Sequence, residues 1–254
     1  MRTPLTPGNP YGHSRMGYAW EQVPRDVAAH LDYGCYTGGF LASLADRGVR
    51  RLVGIDASRD AVAQARAAHP NLELVHHGDG PIPLPDQAFD SASLLDVLEH
   101  VADQAALLAD LRRVLKPGGL LIVTVPGQHV FSWLDLGNLK FRFPRIHRWH
   151  YCRTHSRAEY EARYVSNVDG MIGDISADKR WHEHFSRDKL GTLLARAGFS
   201  VVQFDGSQLF GRWLILAGAV LGRVPGARRM IHAVERWDSR RFQSMNLFCL
   251  ARRD

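Results

Sequence analysis

The feature that most constrains this chain is a glycine-rich turn that joins an apolar run to a helical pattern. Its sequence is Leu31-Asp-Tyr-Gly-Cys-Tyr-Thr-Gly-Gly-Phe40. Glycines at Gly34 and Gly38 let the backbone turn sharply and approach a ligand closely, and free N–H groups at the start of the helix face that ligand. The stretch therefore predicts a strand, a tight turn and a helix at the ligand-binding edge of an α/β sheet.

A second apolar run, at residues 51–55, ends in Asp56. A doubly wound sheet places a carboxylate at this position on ribose hydroxyls, about twenty residues after the first turn. No Lys-Ser or Lys-Thr pair follows the first turn, and Asp32 would repel a pyrophosphate. The two turns together favour a cationic nucleoside without phosphates as the ligand.

Apolar runs and helical patterns alternate along the chain. Strands are predicted at residues 27–31, 52–55, 72–75, 92–95, 120–125, 199–204 and 245–251. Helices are predicted at 59–68 after Ser58, at 104–115, and from Ser186 to 197. This order predicts an α/β fold with a mostly parallel sheet covered on both faces and a ligand crevice at the carboxyl ends of the strands.

A series of motifs between residues 26 and 126 resembles that of class I S-adenosylmethionine-dependent methyltransferases, in particular the members that act on small molecules. The motifs are residues 31–38, Gly54-Ile-Asp-Ala-Ser58, Gly78-Asp-Gly80, Leu84-Pro-Asp-Gln-Ala-Phe-Asp90, Leu94-Leu-Asp-Val-Leu-Glu-His-Val101 and residues 111–119. Tyr36 departs from the pattern, because it stands at the middle of the turn where glycine is commonest. The resemblance implies a Rossmann-like, doubly wound, mostly parallel seven-stranded sheet whose helical and loop insertions form a substrate cap.

The same resemblance implies S-adenosyl-L-methionine as the cofactor. The cofactor-binding residues that it indicates are Asp32, Gly34, Tyr36, Gly38, Asp56, Ala57, Gly78, Asp79, Gly80, Leu95 and Asp96. Asp56 would bind ribose hydroxyls, Asp32 would hold the methionine end and Asp79 would contact adenine. Structural alternatives are a strand-end carboxylate paired with solvent at Asp32, a helix cap at Asp56 and an ordinary Gly-Asp-Gly turn at Asp79.

Methyl transfer from a sulfonium requires alignment, exclusion of water and often a base that takes the proton of the acceptor. The segment Trp181-His-Glu-His-Phe185 resembles one that family members place opposite the acceptor. His184 and His182 are therefore the predicted bases, and His150 in a histidine-rich stretch is a third candidate. Each of them could instead be a structural histidine.

No metal is predicted. Asp96, Glu99 and His100 have a helix-like spacing that suits a divalent ion, but acids at a helix start and a packed histidine explain them as well. A second group, at residues 147–155, contains three histidines and Cys152 with a spacing that matches no standard zinc finger.

The domain organisation follows from these patterns. We expect a single methyltransferase domain over residues 1–254, with a leader at 1–25 over the cofactor, a cofactor-binding core at 26–126, a lid at 127–185 and an apolar and basic helical insertion at 206–244. The insertion has two interpretations: a cap packed on the core or on a second subunit of a homodimer, or a peripheral contact with membrane or lipid through residues 209–241. Its apolar stretch is too short to span a bilayer.

Composition limits the partners and the compartment. The formal net charge of +6 is compatible with nucleic acid, acidic lipid headgroups or anionic substrates, and it selects none of them. Nucleic acid is not expected as the acceptor, because the Asn/Asp-Pro-Pro-aromatic motif of base-amine methyltransferases is replaced by Leu-Asp-Val-Leu-Glu-His and no RNA-binding module is recognisable. Three scattered cysteines and an N-terminus without an apolar signal core predict a cytoplasmic protein, with a peripheral membrane association left open.

The function predicted from the sequence is O-methylation of a hydroxyl on a small molecule, namely a secondary metabolite, a glycan or a lipid-linked substrate. Two alternatives stay open: a small-molecule N-methyltransferase, and a non-catalytic cofactor-binding scaffold or sensor.

Overall fold

Seven strands form one sheet. In chain order they are β1 (Ala29–Tyr33), β2 (Arg51–Asp56), β3 (Glu73–His76), β4 (Phe89–Leu95), β5 (Leu115–Pro126), β6 (Phe199–Ser207) and β7 (Asn246–Arg253). The computed structural model describes residues 6, 8–12, 14–78, 80–134, 143–166, 183–221, 224 and 226–254.

Nine α-helices are described within these residues. They are α1 (Arg15–Gln22), α2 (Gly39–Ser43), α3 (Arg59–Ala68), α4 (Gln104–Val114), α5 (Pro144–Tyr151), α6 (Arg157–Tyr160), α7 (Arg187–Arg196), α8 (Gly211–Leu221) and α9 (Ala227–Arg241). Short 3₁₀ helices follow α2 at Leu44–Arg47 and follow β4 at Leu98–His100.

The sheet has the order β3-β2-β1-β4-β5-β7-β6. β1 to β5 are parallel to one another, whereas β7 lies between β5 and β6 and is antiparallel to both. The predicted mostly parallel, doubly wound α/β fold is therefore confirmed. Two buried apolar clusters pack it, one around Leu94 and Leu111 and the other around Trp20 and Leu41.

Local sequence signals account for the helix starts. The hydroxyl of Ser58 accepts a hydrogen bond from the Ala61 N–H, and that of Ser186 accepts one from the Lys189 N–H. Such N-caps stabilise a helix by about 1 kcal/mol. The predicted helix over 59–68 and the predicted start at Ser186 therefore match α3 and α7.

The first strand begins later than predicted, at Ala29 instead of residue 27. Asp26 adopts a left-handed conformation with φ +56°, which interrupts an extended chain just before this point. The Ala29 N–H then donates to the carboxylate of Asp90 at 2.8 Å, so the first ladder position is fixed by a side chain.

The hairpin, defined here as residues 208–243, leaves the sheet between β6 and β7 and contains α8 and α9. Ser207 at the end of β6 and Pro126 at the end of β5 both face Asn246 at the start of β7. The hairpin therefore begins at the same edge of the sheet as the carboxyl ends of the parallel strands. In the part of the chain that the structure describes, no helix combines the length and the apolarity needed to cross a membrane.

Candidate functional site

A cavity of about 1250 Å³ opens at the carboxyl edge of the sheet. Nine of the residues predicted to bind the cofactor line it, namely Asp32, Gly34, Tyr36, Asp56, Ala57, Gly78, Gly80, Leu95 and Asp96. Gly38 is not among the lining residues, and Asp79 lies outside the described residues. The sequence-predicted residues are thus gathered around one space although they come from four strands and their following loops.

The glycine turn forms one wall of this cavity. Gly34 has φ +83°, and a Cβ at this position would collide with the side chain of Val97. Gly38 has φ +77° and precedes α2, where a Cβ would come within 3.1 Å of Leu72. Gly34 is therefore needed where the turn passes the loop after β4, whereas Gly38 is needed for the start of α2 and its packing.

Tyr36 occupies the middle of the turn in a left-handed conformation, with φ +48°. This conformation costs about 1 kcal/mol for a residue with a side chain. The Tyr36 N–H donates to Oδ2 of Asp56 at 2.8 Å, which fixes the conformation, and the half-exposed ring lines the cavity.

Asp56 ends β2 and is oriented by backbone groups on both sides. Its Oδ2 accepts from the Tyr36 N–H and its Oδ1 accepts from the Ser58 N–H, each at 2.8 Å. A carboxylate offers about four acceptor positions, so each oxygen can accept a further hydrogen bond. The carboxylate is thus held rigidly while it retains capacity to bind two hydroxyl groups.

Asp32 ends the central strand and is almost fully buried. Ser93 donates its hydroxyl proton to Oδ1 of Asp32 at 2.5 Å, and Nε2 of His30 lies 3.0 Å from the same hydroxyl oxygen. Burial and, to a smaller extent, the carboxylate of Asp56 raise the pKa of Asp32 to about 7, against the opposing effect of the Ser93 hydrogen bond. A cation entering the cavity would favour the ionised form of Asp32.

Asp96 follows β4 and joins the leader to the site. Its φ is +54°, and its Oδ1 accepts from the hydroxyl of Thr124 at 2.8 Å. Its Oδ2 forms an ion pair with Nη1 of Arg15 at the start of α1. Strained residues tend to occur at functional sites, and Asp96 is one of the residues that line the cavity.

The leader supplies part of the cavity that the motifs do not reveal. Tyr11, Arg15 and Met16 line it, and Trp20 is held by a cation–π contact with Arg47 at 4.5 Å. From the sequence, the residues of the leader were predicted only to lie over the cofactor. Their partners lie in other elements, so the pairing between Arg15 and Asp96 could not be read from local spacing.

Of the three histidines predicted as bases, two lie within the described residues, and neither of these lines the cavity. His184 does not line the cavity, and its Nε2 accepts a hydrogen bond from Nη2 of Arg212 at 2.8 Å. His150 is exposed on α5, away from the lining residues, and His182 lies outside the described residues. Among the described histidines, His100 alone lines the cavity.

Residues of both groups that could suit a metal ion make other contacts in the structure. The carboxylate of Asp96 pairs with Arg15, and His147 packs edge-on against Tyr164 with ring centroids 4.7 Å apart. Within the described ranges, no group of three or more His, Cys, Asp or Glu side chains is arranged to hold a metal ion.

Comparison with known proteins assigns the family. The sequence model of a family described as "Methyltransferase domain" matches residues 17–204. A protein of Mycolicibacterium smegmatis named "Probable S-adenosylmethionine-dependent methyltransferase" is 37% identical over 108 residues, which cover 42% of this chain and 40% of that protein. The demethylmenaquinone methyltransferase of Bacillus licheniformis is 32% identical over 127 residues, which cover 48% of this chain and 54% of that protein.

The chain therefore spans about half or less of the length of these relatives. Among solved structures, an S-adenosylmethionine-dependent methyltransferase from Mesorhizobium loti superposes with a TM-score of 0.53 at 18% identity, and the alignment covers 94% of this chain and 98% of that one. This likeness shows the fold. The family match across most of the chain shows that the chain belongs to the class I S-adenosylmethionine-dependent methyltransferases.

Proposed function

We propose that this protein transfers a methyl group from S-adenosylmethionine to a hydroxyl oxygen of a small-molecule acceptor. The observation that carries the proposal is the cavity in which Asp32, Asp56 and the glycine turn meet one imidazole, that of His100. The cofactor, when bound, supplies an electrophilic methyl group on a sulfonium. The acceptor class that we favour is a secondary metabolite, a glycan or a lipid-linked substrate.

The residues around the cavity suit such a cofactor. Asp56 retains acceptor capacity for two ribose hydroxyls, and buried Asp32 provides negative charge for an ammonium group. Ile82 and Leu107 add apolar surface for a planar base. A phosphate-bearing ligand would fit less well, because both acids would repel it.

We propose His100 as the general base. It lies on the 3₁₀ helix after β4, three residues after Val97. Like His100, the residues from Leu95 to Val97 line the cavity. An ordinary imidazole titrates near neutral pH and can take a hydroxyl proton as the methyl arrives. The bases predicted from sequence, His184, His182 and His150, are retained as competitors in the test.

The first test is transfer of labelled methyl from S-adenosylmethionine into cell extract, followed by separation of organic and aqueous phases. Label in the organic phase would support a lipid-linked acceptor, and label in the aqueous phase would support a glycan or a polar metabolite. Absence of label from both phases, with intact cofactor binding, would contradict the proposed activity and support a non-catalytic scaffold.

Once an acceptor fraction is known, the base can be assigned with His100→Gln, which keeps a polar side chain but cannot accept the proton. We expect turnover to fall about 100-fold or more, because that is the usual contribution of a general base. Cofactor affinity, measured by calorimetry, should be unchanged. His184→Gln, His182→Gln and His150→Gln are matched controls, and a comparable loss in one of them with full activity in His100→Gln would transfer the role.

A further inference from the structure

The outer surface of α8 is apolar and has little protein against it. Beyond Arg212, none of the described side chains of this helix is buried, and four large apolar ones are exposed: Trp213, Ile215, Val220 and Leu221. Arg212 is the only charged residue in α8, and it is buried against the Ser132 carbonyl and His184. The solvent-exposed surface of α8 is therefore apolar and uncharged.

α9 combines an apolar stripe with a basic one. Met230, Val234 and Trp237 are exposed at the spacing of one helix face, with Trp237 54% exposed. Next to this stripe a groove of about 280 Å³ is lined by Ala233, Arg236, Trp237, Arg240 and Arg241. An indole beside three guanidinium groups suits the boundary between an apolar phase and anionic groups.

The hairpin is attached firmly to the rest of the protein. Asp238 of α9 is fully buried, and its carboxylate accepts hydrogen bonds from the N–H groups of Leu209 and Phe210. The ring of Phe131, which follows β5, packs against Phe210 and Trp213 at centroid distances of 5.7 and 6.0 Å. The exposed surface is thus held in a fixed relation to the carboxyl edge of the sheet.

We propose that the hairpin docks on the surface of an anionic lipid bilayer. The exposed apolar side chains of α8 and the apolar stripe of α9 enter the boundary between headgroups and acyl chains. The arginines of α9 contact lipid phosphates. α9 carries five arginines, of which Arg228 and Arg229 lie in its first turn, against two acids, of which Asp238 is buried. The positive charge complements an anionic surface and favours it over a second copy of the chain, because a symmetric pairing on this face would bring the same arginines together.

The test is co-sedimentation of the full chain with vesicles of phosphatidylcholine alone and of phosphatidylcholine mixed with phosphatidylglycerol. We expect binding to the mixed vesicles that weakens with salt. Arg236→Glu/Arg240→Glu should lower the partition coefficient by about 10-fold or more, since each basic residue near the surface contributes about one factor of five. Trp237→Ser should lower the partition coefficient several-fold, and it should change the salt dependence less than the double arginine variant does.

Arg50→Glu/Arg59→Glu is the matched control, because it makes the same change in net charge at exposed positions outside the hairpin. Circular dichroism and cofactor affinity should be unchanged in all variants. The proposal is overturned if neutral and mixed vesicles bind equally, if neither binds, or if the control loses as much binding as the hairpin variant. If the chain binds no vesicles but forms a concentration-dependent dimer that Trp237→Ser disrupts, the surface would be assigned to a second copy of the chain. None of these outcomes depends on methyl transfer.

Discussion

A buried row of hydrogen-bonded side chains holds the carboxyl group of Asp32. His30 is fully buried, and desolvation lowers its pKa to about 3, so its ring is neutral. Since Ser93 donates to Asp32, Ser93 accepts from the Nε2–H of His30, and Nδ1 of His30 then accepts from the Ser91 hydroxyl at 2.8 Å. Neutral donors thus hold Asp32 without supplying a compensating positive charge.

We predict that cofactor affinity depends on the ionisation of Asp32. Its pKa of about 7 keeps it protonated in the free protein at low pH, and a cationic ligand binds the ionised form better. The affinity for S-adenosylmethionine should rise roughly 5- to 10-fold between about pH 6 and 7.5, as the ionised fraction increases. The charge of Asp56 also acts on Asp32 and contributes to its raised pKa. Calorimetric titrations at both pH values measure the effect.

The control is Asp32→Asn, which should bind more weakly and show no rise. An equal rise in this variant would assign the pH dependence to another group.

Without cofactor, the free energy of unfolding should change in the opposite direction. Between the unfolded pKa of 3.8 and the folded pKa of about 7, only the folded state keeps the proton, so the free protein loses stability as pH rises through this range.

Residue roles could be predicted where a local pattern carries them. Asp32 and Asp56 stand directly after apolar runs, and parallel strands bring such ends to one edge of the sheet. The pairing of Arg15 with Asp96 joins positions far apart in sequence, and no local spacing contains it. His100 was weighed only as a metal ligand or a packed histidine, because its exposure to the cavity depends on how the chain turns after β4.

At the scale of elements, the hairpin depends on one buried carboxylate. Asp238 connects the last turn of α9 to the two residues that precede α8. We predict that Asp238→Ala lowers the free energy of local opening of the hairpin by about 3 kcal/mol, because buried N–H groups at Leu209 and Phe210 lose their acceptor. Hydrogen exchange of amides in residues 209–241 measures this loss.

Glu235→Ala is the control for that measurement. Glu235 lies one turn earlier on the same helix and pairs with His232 at the surface, where a salt bridge contributes little. The amide exchange rates of Glu235→Ala should stay close to those of the parent protein. Equal protection of the hairpin in Asp238→Ala and Glu235→Ala would show that the contacts of Phe131 and Arg212 hold the hairpin without the carboxylate.

The elements themselves were largely predictable, since hydrophobic period and capping residues are local. The lengths of β4 and β5 were underestimated, because Phe89 pairs with Leu115 and both strands therefore begin several residues earlier than predicted. The lid predicted at 127–185 remains a prediction: its described residues do not line the cavity, and part of it lies outside the described ranges.

At the scale of the whole molecule, the cavity wall combines the leader, β1, β2, β4 and α4. A ligand that binds this folded arrangement stabilises the whole domain. At a concentration 100 times its dissociation constant, S-adenosylmethionine should add about 2.7 kcal/mol. For a chain of this size, that corresponds to a rise in Tm of about 5–10 °C.

Asp56→Ala should abolish most of this rise, because it removes the acceptor for the ribose hydroxyls and frees the Tyr36 N–H. The exposed acid Asp60, at the start of α3, provides the control Asp60→Ala, which should keep the full rise. Differential scanning calorimetry with and without cofactor measures both. An unchanged rise in Asp56→Ala would remove the ribose assignment.

The position of β7 determines the order in which this sheet can be completed. β6 pairs with β7 and not with β5, so during synthesis it emerges without a neighbour in the sheet. The ribosome then produces the apolar α8 while the edge of β5 is still unpaired. Closure requires a non-local insertion of β7 between two strands made earlier, a slow kind of step that leaves strand edges exposed to other chains. The nascent chain therefore passes through a stage at which its β5 edge and its apolar helix are both available to chaperones.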